Sequence, residues 1–131
     1  MQMMHLIVDG LAANLYLLRQ EADLCAYLRH LVDLLGMRLM TEPLSVKAVG
    51  FGPESGVTAM AIISESHIVL HSWPERNDFN LNVDVFSCRC FRDGLVMEDL
   101  REHFQMNEWK RKIIWRPLLG ETKAVAHREA A

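Results

Sequence analysis

The sequence predicts an α+β fold, a mainly antiparallel sheet with helices on one face. Leu81-Asn82-Val83-Asp84-Val85-Phe86-Ser87-Cys88 alternates apolar and polar residues with period two, as a half-buried strand does. Leu15, Leu18, Ala22, Cys25, Leu28, Val32 and Leu35 recur at steps of three and four, one face of an amphipathic helix. Read end to end, the chain runs strand, helix, several strands, helix, strand, an order that gathers the helices on one side of an antiparallel sheet.

Each element has a local reason. Met3 to Asp9 is an apolar first strand that Gly10 ends. The helix over 15–35 stops at Gly36, with Asn14 or Asp23 as its cap. Met37 to Met40 and Ser45 to Phe51 are extended segments separated by the Glu42-Pro43 turn, and the glycines and proline of 50–56 make a loop. Val57 to Ile63 is an apolar strand. Extended chain resumes over Ile68 to His71, and Pro74 to Asn80 is a polar connection before the alternating strand. Asp93 is suited to cap a second helix over Leu95 to Phe104. Lys110 to Trp115 is a last strand stopped by Pro117, and Thr122 to Ala131 is a frayed tail.

At 131 residues the chain has the length of one domain, 1–131, with a core of its own. A net charge of −3 leaves no electrostatic footprint for nucleic acid or an anionic membrane, so the expected partner is a small-molecule substrate. Three cysteines cannot all pair within one chain, and they form no secreted disulfide framework, which favours a reduced, cytoplasmic setting. Met1 to Asp9 lacks the basic region of a signal peptide, and no apolar run reaches transmembrane length.

The chemistry concentrates in Ser64-Glu65-Ser66-His67, followed by His71-Ser72-Trp73-Pro74-Glu75. A serine hydroxyl next to a peptide carbonyl, with imidazoles available for proton transfer, can attack the backbone itself. That is the chemistry of a self-cleaving proenzyme. The pattern S-E-S-H-x-x-x-H-x-W-P-E fixes many positions within a dozen residues. It resembles the processing site of the prokaryotic S-adenosylmethionine decarboxylases. The resemblance extends to the opening His5-Leu6-Ile7-Val8-Asp9, the helix ending in glycine, and the Asp84-x-Phe86-x-Cys88 segment, all in the family's order.

Removing CO₂ from an amino acid requires an electron sink conjugated to the α-carbon, and a pyruvoyl ketone that condenses with the substrate amine is one solution. The resemblance implies that this group is self-generated from Ser66, by cleavage of the Glu65–Ser66 bond into chains 1–65 and 66–131. It implies that His71 transfers protons during processing, with the Thr58 hydroxyl in support. Cys88 is then the acid that reprotonates the α-carbon. Glu75 accepts hydrogen bonds from the substrate's ribose, and Phe51 stacks on its adenine. The implied protomer is a two-layer α/β sandwich that pairs as a homodimer, each site built from both protomers. Its product, decarboxylated S-adenosylmethionine, is the aminopropyl donor for spermidine synthesis.

Other readings attach to the same residues. The connection from Glu75 to Asp84 is longer than the family's, and the polar last strand departs from its pattern. Both departures lie where substrate binds, which keeps open arginine or ornithine decarboxylation on the same scaffold, or an unprocessed homologue that binds a partner. His67 is open between a structural and a site role, and Cys90, alternating with Cys88, is expected on the same side. Zinc at His67, His71, Cys88 and Cys90 is disfavoured by the lack of paired ligand spacing, so no metal is assigned. Cys25, on the helix's apolar face, is a small buried hydrophobe. Trp109 and Trp115 among Lys110, Arg111, Lys112 and Arg116 form an edge strand in preference to a nucleic-acid site.

Overall fold

A computed structural model describes residues 2–49 and 56–119. Phe51 and the tail from Thr122 lie outside the described residues. Six strands, β1 (Gln2–Ala12), β2 (Leu44–Lys47), β3 (Val57–Ile63), β4 (Ser66–Ser72), β5 (Leu81–Ser87) and β6 (Met106–Pro117), form one sheet in the order β2-β3-β4-β5-β1-β6. Every neighbouring pair is antiparallel. Helices α1 (Glu21–Leu34) and α2 (Asp93–Phe104) cover one face, so the expected α+β architecture is what the chain adopts.

Alternation along the strands creates that buried face. Leu6 and Val8 of β1, Ala59 and Ala61 of β3, Ile68 and Leu70 of β4, and Val83 and Val85 of β5 all point into it. Against them α1 presents Leu24, Tyr27, Leu28, Leu31 and Val32, an i, i+3, i+4, i+7, i+8 stripe. Helix α2 adds Val96, Leu100 and Phe104. Each fully buried leucine or valine contributes about 1.5–3 kcal/mol relative to exposure. No helix among the described residues is long and apolar enough to cross a membrane.

Boundaries moved where local chemistry overrode period. The predicted 15–35 helix opens as a separate 3-10 turn, Leu17–Arg19, and α1 begins only at Glu21 with Gln20 as an N-cap making no side-chain cap bond. Asn14 serves the 3-10 turn instead, its Oδ1 accepting from the Leu17 N–H. The predicted stop holds: Gly36 sits at φ +65°, Gly36 N donates to Asp33 O, and Met37 N donates to Val32 O, the paired bonds of a Schellman cap. Asp93 is the first residue of α2, and Arg92 is the N-cap. Strand β1 runs through Gly10, and β6 is longer than predicted because it pairs with β1 along nearly its whole length. Of the extended segment over 37–40, only an isolated bridge between Leu39 and Ile63 forms.

The opposite face of the sheet carries the alternate residues and is half-exposed. Strand register orders them into rows. One row is Ile62, His67, Phe86, His5 and Ile114; another is Val46, Thr58, His71, Asn82, Asp9 and Lys110.

Candidate active site

Strands β3 and β4 form a tight hairpin whose last pair is Ile63 with Ser66, leaving Ser64 and Glu65 as the turn. The segment that follows α1 holds this turn. Ser64 N donates to Arg38 O at 2.9 Å. The Glu65 Oε1 accepts from Arg38 N at 3.3 Å and from the Ser64 hydroxyl at 3.0 Å. Arg89 reaches from beyond β5 to the Gly36 carbonyl at 2.8 Å and places Nε 3.5 Å from Glu65 Oε2. Desolvation works against the Glu65 carboxylate, but the Arg38 and Ser64 hydrogen bonds and the Arg89 charge outweigh it and hold its pKa below the usual range.

Ser66 follows with φ +148°, a backbone region that side-chain-bearing residues rarely occupy. It pairs with Ser87 at the end of β5, so Cys88 stands beside the turn. The Cys88 N–H donates to the Glu65 carbonyl oxygen at 2.8 Å. The carbonyl that a Ser66 hydroxyl would attack is thus already polarised by a backbone donor. Strand alternation does not reach Cys88 and Cys90: β5 ends at Ser87, and Cys90 is exposed in the following irregular chain. Cys25 is only part-buried, with its sulfur 3.8 Å from the Pro43 carbonyl.

The other predicted residues assemble at the far end of β4. Thr58 Oγ1 and His71 Nδ1 are 2.9 Å apart across the β3–β4 pair. Beyond His71 the strand ends at buried Ser72 and turns through Trp73, Pro74 and an exposed Glu75. The structure therefore joins Ser66 with Glu65 and Cys88, and Thr58 with His71, but does not join the two groups. Five residue steps of extended strand separate Ser66 from His71, about 16 Å. His67 lies between, its ring 5.5 Å from that of Phe86, which also meets His5 at 5.5 Å and carries the Arg116 guanidinium at 4.6 Å. His5 lies 3.6 Å from Asp84, and its buried Nε2 makes no hydrogen bond.

A cleft of about 370 Å³ opens elsewhere, between Asp9, Asp78, Phe79, Glu108, Trp109 and Lys110. It contains none of Ser66, His71, Cys88 or Glu75. Among the described residues, no group of three or more His, Cys, Asp or Glu side chains converges as metal ligands. Several residues that shape the site have no signal in the sequence. Arg38 acts through its backbone N–H, Arg89 reaches in by its side chain from beyond β5, and Asn82 is recruited by register.

Residues 4–117 match the family described as S-adenosylmethionine decarboxylase. The chain belongs to that family. Among relatives of the S-adenosylmethionine decarboxylase family, the proenzyme of Clostridium botulinum (strain Langeland) is 30% identical over 100 residues, 76% of this chain and 80% of the relative. That of Pyrobaculum aerophilum is 38% identical over 80 residues, and the match spans 57% of this chain and 59% of the relative's length. The crystal structure of an adenosylmethionine decarboxylase from Aquifex aeolicus superposes with a TM-score of 0.74 over 92% of this chain and 95% of its own, at 17% identity. That likeness shows that the S-adenosylmethionine decarboxylase fold is shared.

Proposed function

We propose that this chain is a self-processing carboxy-lyase that decarboxylates S-adenosylmethionine with a pyruvoyl group made from Ser66. The single observation that carries the reading is the geometry at the hairpin, where a family-matched Glu65–Ser66 bond combines a strained Ser66 with a Glu65 carbonyl bound by the Cys88 N–H. Attack on an amide needs stabilisation of the developing oxyanion, and a fixed backbone donor supplies it without reorganisation. The Ser66 hydroxyl adds to the Glu65 carbonyl, and the peptide C–N bond breaks as the acyl group moves to the serine oxygen. β-Elimination then releases the chain 1–65 as a carboxylate and leaves a dehydroalanine at position 66. Water converts this to the terminal ketone of chain 66–131 with loss of ammonia.

The residues fit that group: Ser66 opens β4 next to Cys88, and the turn before it is already anchored on the 1–65 side by Arg38. The pyruvoyl group supplies an electron sink for the carbanion left when CO₂ departs. In this reading Cys88, whose backbone is bonded to the turn, returns a proton to the α-carbon. His71, oriented by Thr58, is the proton-transfer group during processing, and Glu75 takes the ribose hydroxyls. Phe51 is the adenine-stacking residue of this reading.

The separation of about 16 Å along β4 gives the homodimer its function. A two-fold pairing brings the Thr58–His71–Glu75 end of one protomer to the Ser66–Cys88 end of its partner, so that each site draws on both. The product supplies aminopropyl groups for polyamine synthesis.

An intact-mass spectrum of the denatured protein tests processing. Two fragments meeting at Glu65–Ser66, the second without a free amino terminus, are expected, with a single full-length chain for Ser66→Ala. Release of labelled CO₂ from carboxyl-labelled S-adenosylmethionine, with none from arginine or ornithine, tests the substrate. Full-length wild-type protein after prolonged incubation overturns the mechanism and leaves the partner-binding homologue.

A further inference from the structure

We propose that Asn82 and Asp9 are positioning residues that hold Trp73, and with it the Trp73-Pro74-Glu75 corner, in the shape that receives substrate. The inference rests on the reading of Glu75 as a substrate-binding residue. At the end of β4, Ser72 is pinned by hydrogen bonds from its hydroxyl to the Leu18 carbonyl at 2.6 Å and from the Val57 N–H to its Oγ at 2.9 Å. Trp73 N donates to Asn80 O at 2.8 Å, and Arg76 N donates to Trp73 O at 3.0 Å. These bonds set the backbone on both sides of Glu75 but leave the indole free to choose a rotamer.

A chain of side-chain bonds makes that choice. Trp73 Nε1 donates to Asn82 Oδ1 at 2.6 Å, and Asn82 Nδ2 donates to Asp9 Oδ1 at 2.7 Å. An indole N–H can only donate and a carboxylate can only accept, so the orientation of the Asn82 amide is unambiguous. The Asp9 bond is charge-assisted, and it fixes the acceptor that Trp73 uses. Asn82 stands directly across from His71 in register, and the indole lies 6.5 Å from the His71 ring and 6.3 Å, edge-on, from Phe79. Three strand segments thus converge on one aromatic side chain that flanks both His71 and Glu75. A β-branched residue at position 82 would suit a half-exposed strand as well as asparagine does. The polar relay therefore serves the orientation of Trp73.

The test uses processed full-length enzyme, with cleavage checked by mass and folding by thermal melt. Asn82→Asp keeps an acceptor for Trp73 but removes the donor to Asp9 and places two carboxylates side by side, so the acceptor is no longer held in place. It is expected to raise KM for S-adenosylmethionine about tenfold, the scale of one lost hydrogen bond, while kcat stays within about threefold of wild type. The swap Asp9→Asn with Asn82→Asp keeps the acceptor for Trp73 and restores a donor between positions 9 and 82, and should return KM to within about twofold of wild type. Trp73→Phe should match the Asn82→Asp defect, and combining the two should add nothing. An unchanged KM in Asn82→Asp, or no rescue by the swap in a protein with wild-type melting, overturns the positioning role alone. Absence of S-adenosylmethionine turnover in the wild type overturns the reading of Glu75 and this inference with it.

Discussion

Ser66 at φ +148° occupies backbone that costs a residue with a Cβ about 1–3 kcal/mol. Ser66→Gly and Ser66→Ala both lack the hydroxyl and both stay uncleaved, but only glycine relieves the strain. We expect the glycine precursor to unfold at higher urea than the alanine precursor, by about 1 kcal/mol once the entropy of glycine is counted. At the other half-site, His71→Ala should slow cleavage by about 10²–10⁴-fold. Thr58→Val removes only the 2.9 Å bond that orients His71 and should slow it about tenfold, with Thr58→Ser close to wild type, as a time course of fragment appearance would show. Ser66 and His71 were legible in the sequence because each is a fixed letter of one motif, and Thr58 because the family resemblance points to its position. Their partners were not: the Arg38 N–H, the Cys88 N–H and the Asn82 amide act through positions that only the folded register defines.

At the scale of elements, the hairpin depends on a close approach beside it. A Cβ on Gly56 would overlap the Ser72 backbone carbonyl, which cannot yield, whereas a Cβ on Gly10 would meet the flexible end of Met106. Gly56→Ala should therefore cost about 1–3 kcal/mol in a denaturant titration and slow processing as well, since Thr58 lies two residues on. Gly10→Ala should cost less. The two helices are joined by Tyr27, whose hydroxyl donates to Asp99 at 2.8 Å, while His30 lies 2.9 Å from the same carboxylate and His103 stacks on the Tyr27 ring at 4.3 Å. Burial, reinforced by His30 and opposed by Asp99 and Asp23, keeps His103 below the ordinary value of 6.5. The unfolded chain takes up that proton first, so the contribution is complete above about pH 6.5 and is lost as pH falls through the lower folded value. His103→Phe keeps the stack and should flatten this part of a melting-temperature profile against pH. Period and alternation were enough to identify both helices and most strands, because burial of one face dictates them. The start of α1 was hidden because Leu15 and Leu18 keep the helical spacing while Leu17–Arg19 winds as a separate 3-10 turn.

Across the whole molecule, the two half-sites at opposite ends of β4 lead to a complementation test. Ser66→Ala and His71→Ala are each expected to be inactive alone. Under the proposed pairing, co-expression gives mixed dimers in which one composite site keeps Ser66 from one protomer and His71 from the other. With random pairing, cleavage and decarboxylation should recover to about a quarter of wild type; no recovery would place both residues in one protomer's site. Motif spacing could not reveal this division, since five residues are close in sequence and far apart once the strand is extended.

The order of strands also decides what becomes of the two pieces that the proposed Glu65–Ser66 cleavage would leave. Strands β1, β2 and β3 belong to the first piece, and β4, β5 and β6 to the second, yet the sheet reads β2-β3-β4-β5-β1-β6. The first piece's β1 is threaded between two strands of the second, and β3 and β4 stay paired across the cut. Three strand interfaces hold the fragments together. Separation requires melting the sheet itself, and reassembly becomes an encounter between two molecules. Backbone cleavage thus turns a folding reaction into a binding reaction, and the melting temperature of the cut protein should depend more steeply on its concentration than that of uncut Ser66→Ala.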